Sequence, residues 1–470
     1  MRILVCCADW GIPLGGSAGS SVHLRCLAKA LAGLGHEVRL VVSNAGGAAK
    51  LSMPVEVVAE ERIWPAVHAL IERVRGRAGE AAVSTVAASA AAGPAAADAA
   101  SQGARNVSRR PASGGSWKSR LYYETLPQLA DQAQECLFHP IRFGRAVSRI
   151  MACFQPDAVY ERYALCQAGA SRAVRAAGGG RVPHVLEVNA SLADERFGPA
   201  ASARALGWWS AREEGRLWRR ADRVVCVSEK LGQQAVSLGA DPARVRVMPN
   251  GVDLEAFRPD RPKGRLRRLL GVDGRTILIG WLGALSPGRG GEEFLRVLAQ
   301  ALPLCAGAAG VVIGGGPLEA ACRRLAGALG IAERVRFVGP VDHDRIPDLL
   351  VDVDIAVSCY PGRKDFYFSP MKVAEYLACG LPVVSGRTGS GREAVADGVN
   401  GLLVDPGVAG AWGHALARLC RDPDLRARLG RAARQSALAG PTWIGNARVV
   451  EQEIMRCRDE LAQVGRRACP

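Results

Sequence analysis

The sequence predicts two α/β domains, each a Rossmann-like, doubly wound parallel sheet, facing each other across a cleft. Three observations predict this. The chain has 470 residues, too many for one ordinary core and suited to two domains of roughly 200 residues each. Runs such as "RILVCCA" are apolar without alternation, as expected of parallel strands buried on both faces. Such runs alternate with segments of helical periodicity in two successive stretches of the chain.

The first stretch, residues 1–255, opens as a βαβ unit. "RILVCCA" is a strand, "GIPLGGSAGSS" a Gly/Ser loop, "VHLRCLAKALAGLG" a helix ending at Gly35, and "HEVRLVVS" the second strand. Residues 77–116 are rich in Ala, Ser and Gly and are expected to be a disordered insertion or a weakly helical surface excursion, not an element of the fold. Strands "DAVYERY", "PHVLEVN" and "DRVVCVS" follow with helices between them. Pro249-Asn250-Gly251 makes a tight turn, and "RPDRPKGRLRRLLGVDGRT" reads as a linker. The second stretch, 256–440, repeats the alternation through "TILIGWLG", "AGVVIGGG", "VRFVGPV", "DIAVSCY" and "GLLVD". Two such domains imply a ligand between them, at the carboxyl ends of the strands.

Composition narrows the partners. A hydrophobic share of 49% and a charged share of 23% are globular values, and the formal net charge is +16. That balance suits phosphorylated ligands, an anionic membrane surface or nucleic acid. An aromatic share of 5% is low for a protein that stacks bases, so nucleic acid is not expected. The 14 cysteines form no CxxC pair and no Cys/His cluster of zinc spacing. Cys6, Cys226 and Cys359 lie inside apolar runs and read as small core residues of a protein in a reducing cytosol. "MRILVCCADW" enters a strand with no leader pattern, and no run reaches the ~18–20 apolar residues of a membrane span. The expectation is a cytoplasmic protein, peripheral to a membrane at most.

Three strand-end loops carry the chemistry. In the first, Gly15 and Gly16 precede a helix, where small residues let backbone amides approach a phosphate. A flexible crossover loop explains the same residues, and the spacing is neither that of a dinucleotide fingerprint nor of a P-loop. In the second, a strand ends at Gly283 and Arg289 stands at the mouth of the next helix. A cation there is electrostatically poor unless an anion is bound, and guanidinium forks well onto phosphate. A solvated loop arginine is the alternative. In the third, "FYFSPMKVAEYLACGLPVV", Ser369 and Pro370 begin a helix that carries Met371, Lys372 and Glu375. Its N-terminus and Lys372 suit a diphosphate, and Glu375, one turn deeper on the same face, suits ribose hydroxyls. The alternative is a Lys372–Glu375 ion pair. His23 reaches either a ligand or a buried hydrogen-bond partner, and Glu161, Arg162 and Glu187 end strands on the cleft side as contacts for acceptor or donor sugar.

"PNGVDLEAFRP", "GALSPGRGGEEFL", "SPMKVAEYLACGLPVV" and "GREAVADGVNGLLVDP" resemble glycosyltransferase family 4, in a subgroup with an SP-x-K-xx-EY helix. The resemblance implies the GT-B fold and sugar transfer from a nucleotide-diphosphate sugar with retained configuration, in polysaccharide, glycolipid or other glycoconjugate biosynthesis. It places the family's diphosphate-binding basic residue on Arg289, its ribose glutamate on Glu375, and its phosphate loop on Gly15 and Gly16. The histidine beside the donor sugar falls on Asn189. The first glutamate of the E-x7-E pair falls on Tyr367, and a partner arginine on Ala284, so this chain departs from the family at the donor sugar. The helices of 441–470 are expected to cross back to the first domain. No cofactor and no metal are expected, since basic residues stand where a DxD pair would hold one. The acceptor is a carbohydrate, a lipid-linked intermediate or a small molecule. Three other readings compete: an epimerase, a phosphorylase, and a non-catalytic nucleotide-sugar-binding or scaffold protein at a membrane. The last draws on Tyr367 and Ala284.

Overall fold

A computed structural model describes residues 1–46, 51–58, 136, 138–178, 182–193, 205–360, 369, 371–387 and 390–467. Met1–Val58 and Phe143–Pro470 form one compact unit, and Ala59–Arg142 form a second. Of the second, the described residues are Cys136, Phe138 and the first turn of a helix that begins at His139. The expected insertion at 77–116 lies outside the described residues.

The first sheet has strands β1 (Arg2–Cys7), β2 (Glu37–Val42), β3 (Val55–Val57), β4 (Ala158–Arg162), β5 (His184–Val188), β6 (Arg223–Cys226) and β7 (Val245–Val247). All are parallel, in the order β3-β2-β1-β4-β5-β6-β7. Helices α1 (Gly19–Gly33), α2 (His139–Phe154), α3 (Gly169–Gly178), α4 (Ala205–Arg220) and α5 (Glu229–Ser237) join them. The second sheet has β8 (Ile277–Leu282), β9 (Ala308–Ile313), β10 (Val335–Gly339), β11 (Ile355–Ser358), β12 (Val383–Gly386) and β13 (Gly401–Val404). It too is parallel, in the order β10-β9-β8-β11-β12-β13. Its helices are α6 (Arg265–Leu270), α7 (Gly291–Ala301), α8 (Glu319–Ala328), α9 (Ile346–Leu350), α10 (Met371–Ala378), α11 (Ser390–Ala394), α12 (Ala411–Arg421) and α13 (Pro423–Ala439). The chain ends in the long helix α14 (Trp443–Arg467).

Both sheets reverse their strand order once, between β1 and β4 and between β8 and β11. Loops diverge at such a point and leave a crevice outside the carboxyl ends. The central strands β4, β5 and β6 are buried along their whole length, which is why their sequence is mostly unbroken apolar. The charged exceptions within them, Glu161, Arg162, His184, Glu187 and Arg223, are all buried and all paired.

Helix α14 belongs to the core of the first sheet. Its Trp443, Ala447, Val450 and Ile454 cluster with Leu24, Leu27 and Leu31 of α1 and with Ile3 and Val5 of β1. Arg223 of β6 reaches Glu453 of α14 at 3.2 Å. The crossing is tight: a Cβ on Gly251 would lie 2.5 Å from the Thr442 carbonyl carbon and the Trp443 nitrogen. Asn446 donates to the Pro249 carbonyl at 2.8 Å across the same junction.

The segment after Arg258 is not all linker. Asp352, 3% exposed, accepts the amides of Gly264 at 2.5 Å and Leu266 at 2.7 Å, so its carboxylate starts α6 from 86 residues away in sequence. The described cysteines are free, and burial pushes the thiols of Cys226 and Cys359 up to about 12. They are inert core residues. Among the described residues no helix is long and apolar enough to cross a membrane.

Candidate functional site

The loop after β1 is closed upon itself. Gly15 N–H donates to the Ala45 carbonyl and Gly16 N–H to the Pro13 carbonyl, each at 2.9 Å. Arg25 ties the loop from α1, with Nη1 on the Leu14 carbonyl at 2.5 Å and on the Gly16 carbonyl at 2.6 Å. A Cβ on Gly16 would sit 2.8 Å from Pro13 Cγ and 3.0 Å from Ser21 Oγ. The glycines therefore serve close packing, and the expectation that their amides are offered to a phosphate is corrected: backbone carbonyls already hold those protons. The start of α1 meets the start of α10, where a Cβ on Gly19 would lie 3.7 Å from Met371 Sδ.

Behind this loop lies a buried charged cluster. His23 is 2% exposed, with Nε2 in ion-pair contact with Glu187 and Nδ1 2.6 Å from Asn250 Oδ1. Asn250 is itself oriented, because its Nδ2 donates to the Ser369 carbonyl at 2.6 Å and its backbone N–H to Ser369 Oγ at 3.0 Å. Asn250 Oδ1 only accepts, so Nδ1 carries the proton of that bond, and Nε2 is turned to the Glu187 carboxylate. Trp443 meets the ring edge-on at 5.0 Å. Of the two expectations for His23, the geometry is the buried, hydrogen-bonded one.

Glu187 is fully buried. Burial alone would raise its pKa, but His23, Arg162 and Asn189 hold the carboxyl below its ordinary value. Arg162 Nη1 lies 3.7 Å from Glu187 Oε2. Glu161 does not line the cleft as expected; it is 1% exposed and its Oε2 lies 2.7 Å from His184 Nε2 on the neighbouring strand. The cluster joins β4, β5 and α1 to the turn at Asn250 and, through Ser369, to the residues that open α10.

On the second sheet, Lys372 of α10 is half-buried over two aromatic rings, 4.3 Å from the centroid of Trp281 and 5.0 Å from that of Tyr360. Desolvation pushes its pKa down to about 8; Cys359 and Glu375 oppose the shift and Arg289 adds to it. A Cβ on Gly283 would be 3.2 Å from Lys372 Nζ and 3.0 Å from the Trp281 ring, so the glycine leaves room for the ammonium. Arg289 is exposed at the mouth of α7 and close enough to Lys372 and Tyr360 for its charge to act on both.

The next residue, Gly290, lies in the left-handed region at φ +95°. A Cβ on Gly290 would lie 2.0 Å from the Cys359 carbonyl oxygen. Gly290→Ala should therefore destabilise the protein by at least about 2 kcal/mol through backbone strain and the clash, as read from the urea midpoint. An unchanged midpoint would show that β11 and the mouth of α7 can separate freely.

Glu375 does not pair with Lys372. Its Oε1 lies 2.7 Å from His343 Nε2, in the turn after β10. The adjacent Tyr376 accepts the Leu282 N–H on its hydroxyl at 2.6 Å and so locks α10 to the end of β8. Tyr367 and Pro370 lie outside the described residues. Arg289, Lys372 and Glu375 gather around the β8/β11 switch point, whereas His23, Arg162, Glu187 and Asn189 gather at the carboxyl ends of β4 and β5. Trp281, Tyr360, His343 and the role of Asn250 had no local signal in the sequence. The first three stand in strand-end or turn segments with ordinary composition, and Asn250 reads as part of a turn.

Residues 115–256 match the family model described as Glycosyltransferase Family 4, and residues 263–436 match that described as Glycosyl transferases group 1. D-inositol 3-phosphate glycosyltransferase of Mycobacterium tuberculosis (strain ATCC 25618 / H37Rv) is 34% identical over 260 residues, covering 53% of this chain. The match takes in 50% of that relative, so the chain spans about half the length of the curated relatives it matches. Among solved structures, HepE of Anabaena in complex with UDP-glucose aligns with a TM-score of 0.67 at 19% identity, covering 97% of this chain and 100% of that one. Sucrose-phosphate synthase from Thermosynechococcus elongatus aligns at 0.66 and 17% identity, covering 97% and 99%. These likenesses show a shared fold, the two-domain GT-B architecture.

Proposed function

We propose, for a chain that belongs to glycosyltransferase family 4 across residues 115–256 and to the group 1 glycosyl transferases across residues 263–436, that it moves a sugar from a nucleotide-diphosphate sugar to an acceptor. The observation that carries this is the placement of Arg289, Lys372 and Glu375 around one switch point, with Arg289 close enough for its charge to act on Lys372. Cleavage of the donor leaves negative charge on the diphosphate. Arg289 and Lys372 would stabilise that charge, and preorganised cations are worth most where water is excluded. Glu375 would accept the ribose hydroxyls one helical turn deeper. Asn189, at the end of β5 beside Glu187, would face the donor sugar.

In this reading the anomeric configuration is retained, a hexosyl group is transferred, and the two side-chain cations do the work without a metal. UDP-sugars are the first donors to test, because HepE was solved with UDP-glucose. The acceptor would be a carbohydrate or other polyol of glycoconjugate biosynthesis, including a phosphorylated one, as the name of the mycobacterial relative suggests. The protein would act in the cytoplasm, and its net charge of +16 favours peripheral contact with an anionic membrane.

The test is a thermal-shift screen with nucleoside diphosphates and nucleotide sugars on the wild type, Arg289→Ala and Glu375→Ala. A ligand at ~100 times its Kd adds about 2.7 kcal/mol of stability. The expected result is a shift with one nucleotide that both variants lose, followed by transfer to an acceptor. No shift with any nucleotide would overturn the proposal. A shift without hydrolysis or transfer would favour the non-catalytic binding reading instead.

A further inference from the structure

We infer that His343 is a positioning residue: it holds the Glu375 carboxylate in place for ribose and thereby sets a preference for ribonucleotides over 2′-deoxyribonucleotides. The inference rests on the reading of Glu375 as the ribose ligand. His343 Nε2 lies 2.7 Å from Glu375 Oε1, and the two side chains are only 16% and 6% exposed. A carboxylate only accepts, so Nε2 carries the proton of this bond. The bond occupies one oxygen and fixes the plane in which the other is presented.

The imidazole is braced in turn. It leans at 49° on the ring of Phe257, with centroids 5.4 Å apart. Phe257 is 1% exposed, and its carbonyl accepts from Arg434 Nη1 at 2.8 Å. The backbone of α10 is fixed separately by Tyr376 through Leu282. What remains free without His343 is the rotation of the Glu375 side chain. The competing partner is Lys372, three residues earlier on the same helix and on the same face. A turn of Glu375 toward Lys372 would misplace the ribose ligand and neutralise the charge facing the diphosphate. His343 thus keeps two neighbouring and opposite charges on separate tasks.

The test is calorimetric titration with uridine, adenosine and guanosine diphosphates, each beside its 2′-deoxy counterpart, on the wild type and His343→Ala, His343→Gln and His343→Asn. A hydrogen bond to a charged group lost with the 2′-hydroxyl should cost the wild type about tenfold or more in affinity. His343→Ala and His343→Asn should bring the two forms to within about twofold of each other, since the asparagine amide falls short of the carboxylate. His343→Gln, whose amide reaches the place of Nε2, should restore the preference. In the transfer assay, His343→Ala should raise the donor KM with little change in kcat, as for an interaction equal in ground and transition states. Full discrimination in His343→Ala, or in His343→Asn where the alanine variant does not fold, would overturn the inference. A wild type that binds a nucleotide without ribose preference would overturn this inference alone. A wild type that binds none would overturn it together with the reading of the donor site.

Discussion

Replacing Lys372 by alanine should lower kcat/KM for the nucleotide-sugar donor by about 100- to 1,000-fold, the usual loss when a preorganised group that meets developing charge is removed. The ammonium lies over Trp281 and Tyr360 in a partly desolvated position. Water has been withdrawn from it, and an arriving diphosphate supplies what the rings cannot, a full negative charge. The same desolvation, opposed by Cys359, has pushed its pKa down to about 8 from an ordinary 10.5.

The sign of the pH effect follows. A lysine whose folded pKa is lowered is charged below about pH 8 and neutral above it, and the folded state favours the neutral form. Its contribution to folding stability therefore rises as pH climbs from about 8 toward 10.5, while its hold on an anion falls over the same window. The diphosphate of a nucleotide sugar does not titrate there. Donor KM should accordingly rise above about pH 8 in the wild type. Lys372→Arg should remove that rise, because guanidinium stays charged. Steady-state kinetics across this window would check both expectations. A loss under about tenfold in Lys372→Ala would place the diphosphate elsewhere.

Glu187→Ala should destabilise the protein by about 3–5 kcal/mol, the range for breaking a buried ion pair by removing one partner. The variant leaves Arg162 and His23 inside the protein without the carboxylate that both contact. It also loosens the path from His23 through Asn250 to Ser369. In the wild type the Glu187 carboxyl is held below its ordinary 4.5, so its contribution is present above that value and is lost as pH falls through the lowered one. Urea unfolding of wild type and variant at neutral and acidic pH would measure both. A neutral-pH loss below about 1 kcal/mol would mean that water enters and solvates the groups left behind.

The helix that carries Lys372 and Glu375 was legible because its information is local. Residues three apart share a face, and a strand buried on both faces needs an unbroken apolar run. By the same logic the alternation of such runs with helical stretches was enough for two parallel α/β domains, and the motif spacing for the resemblance to glycosyltransferase family 4. Arg289 beside glycines read as a helix mouth for the same reason.

The partners were not legible, since each is brought in by the tertiary fold. Glu375 meets a histidine 32 residues earlier in the chain, not the lysine one turn away. His23 meets Asn250 227 residues later, and Asn250 meets Ser369 119 residues after that. Gly15 and Gly16 suggested a phosphate loop by composition, yet the carbonyls of Ala45 and Pro13 took their amide protons. Helical spacing and strand burial are properties of neighbouring residues, and those the sequence by itself determined. Which donor meets which acceptor depends on where the sheets reverse their order and which loops meet there. Only the tertiary structure decides that, because a buried polar group must take its partner from whatever the fold brings within about 3 Å.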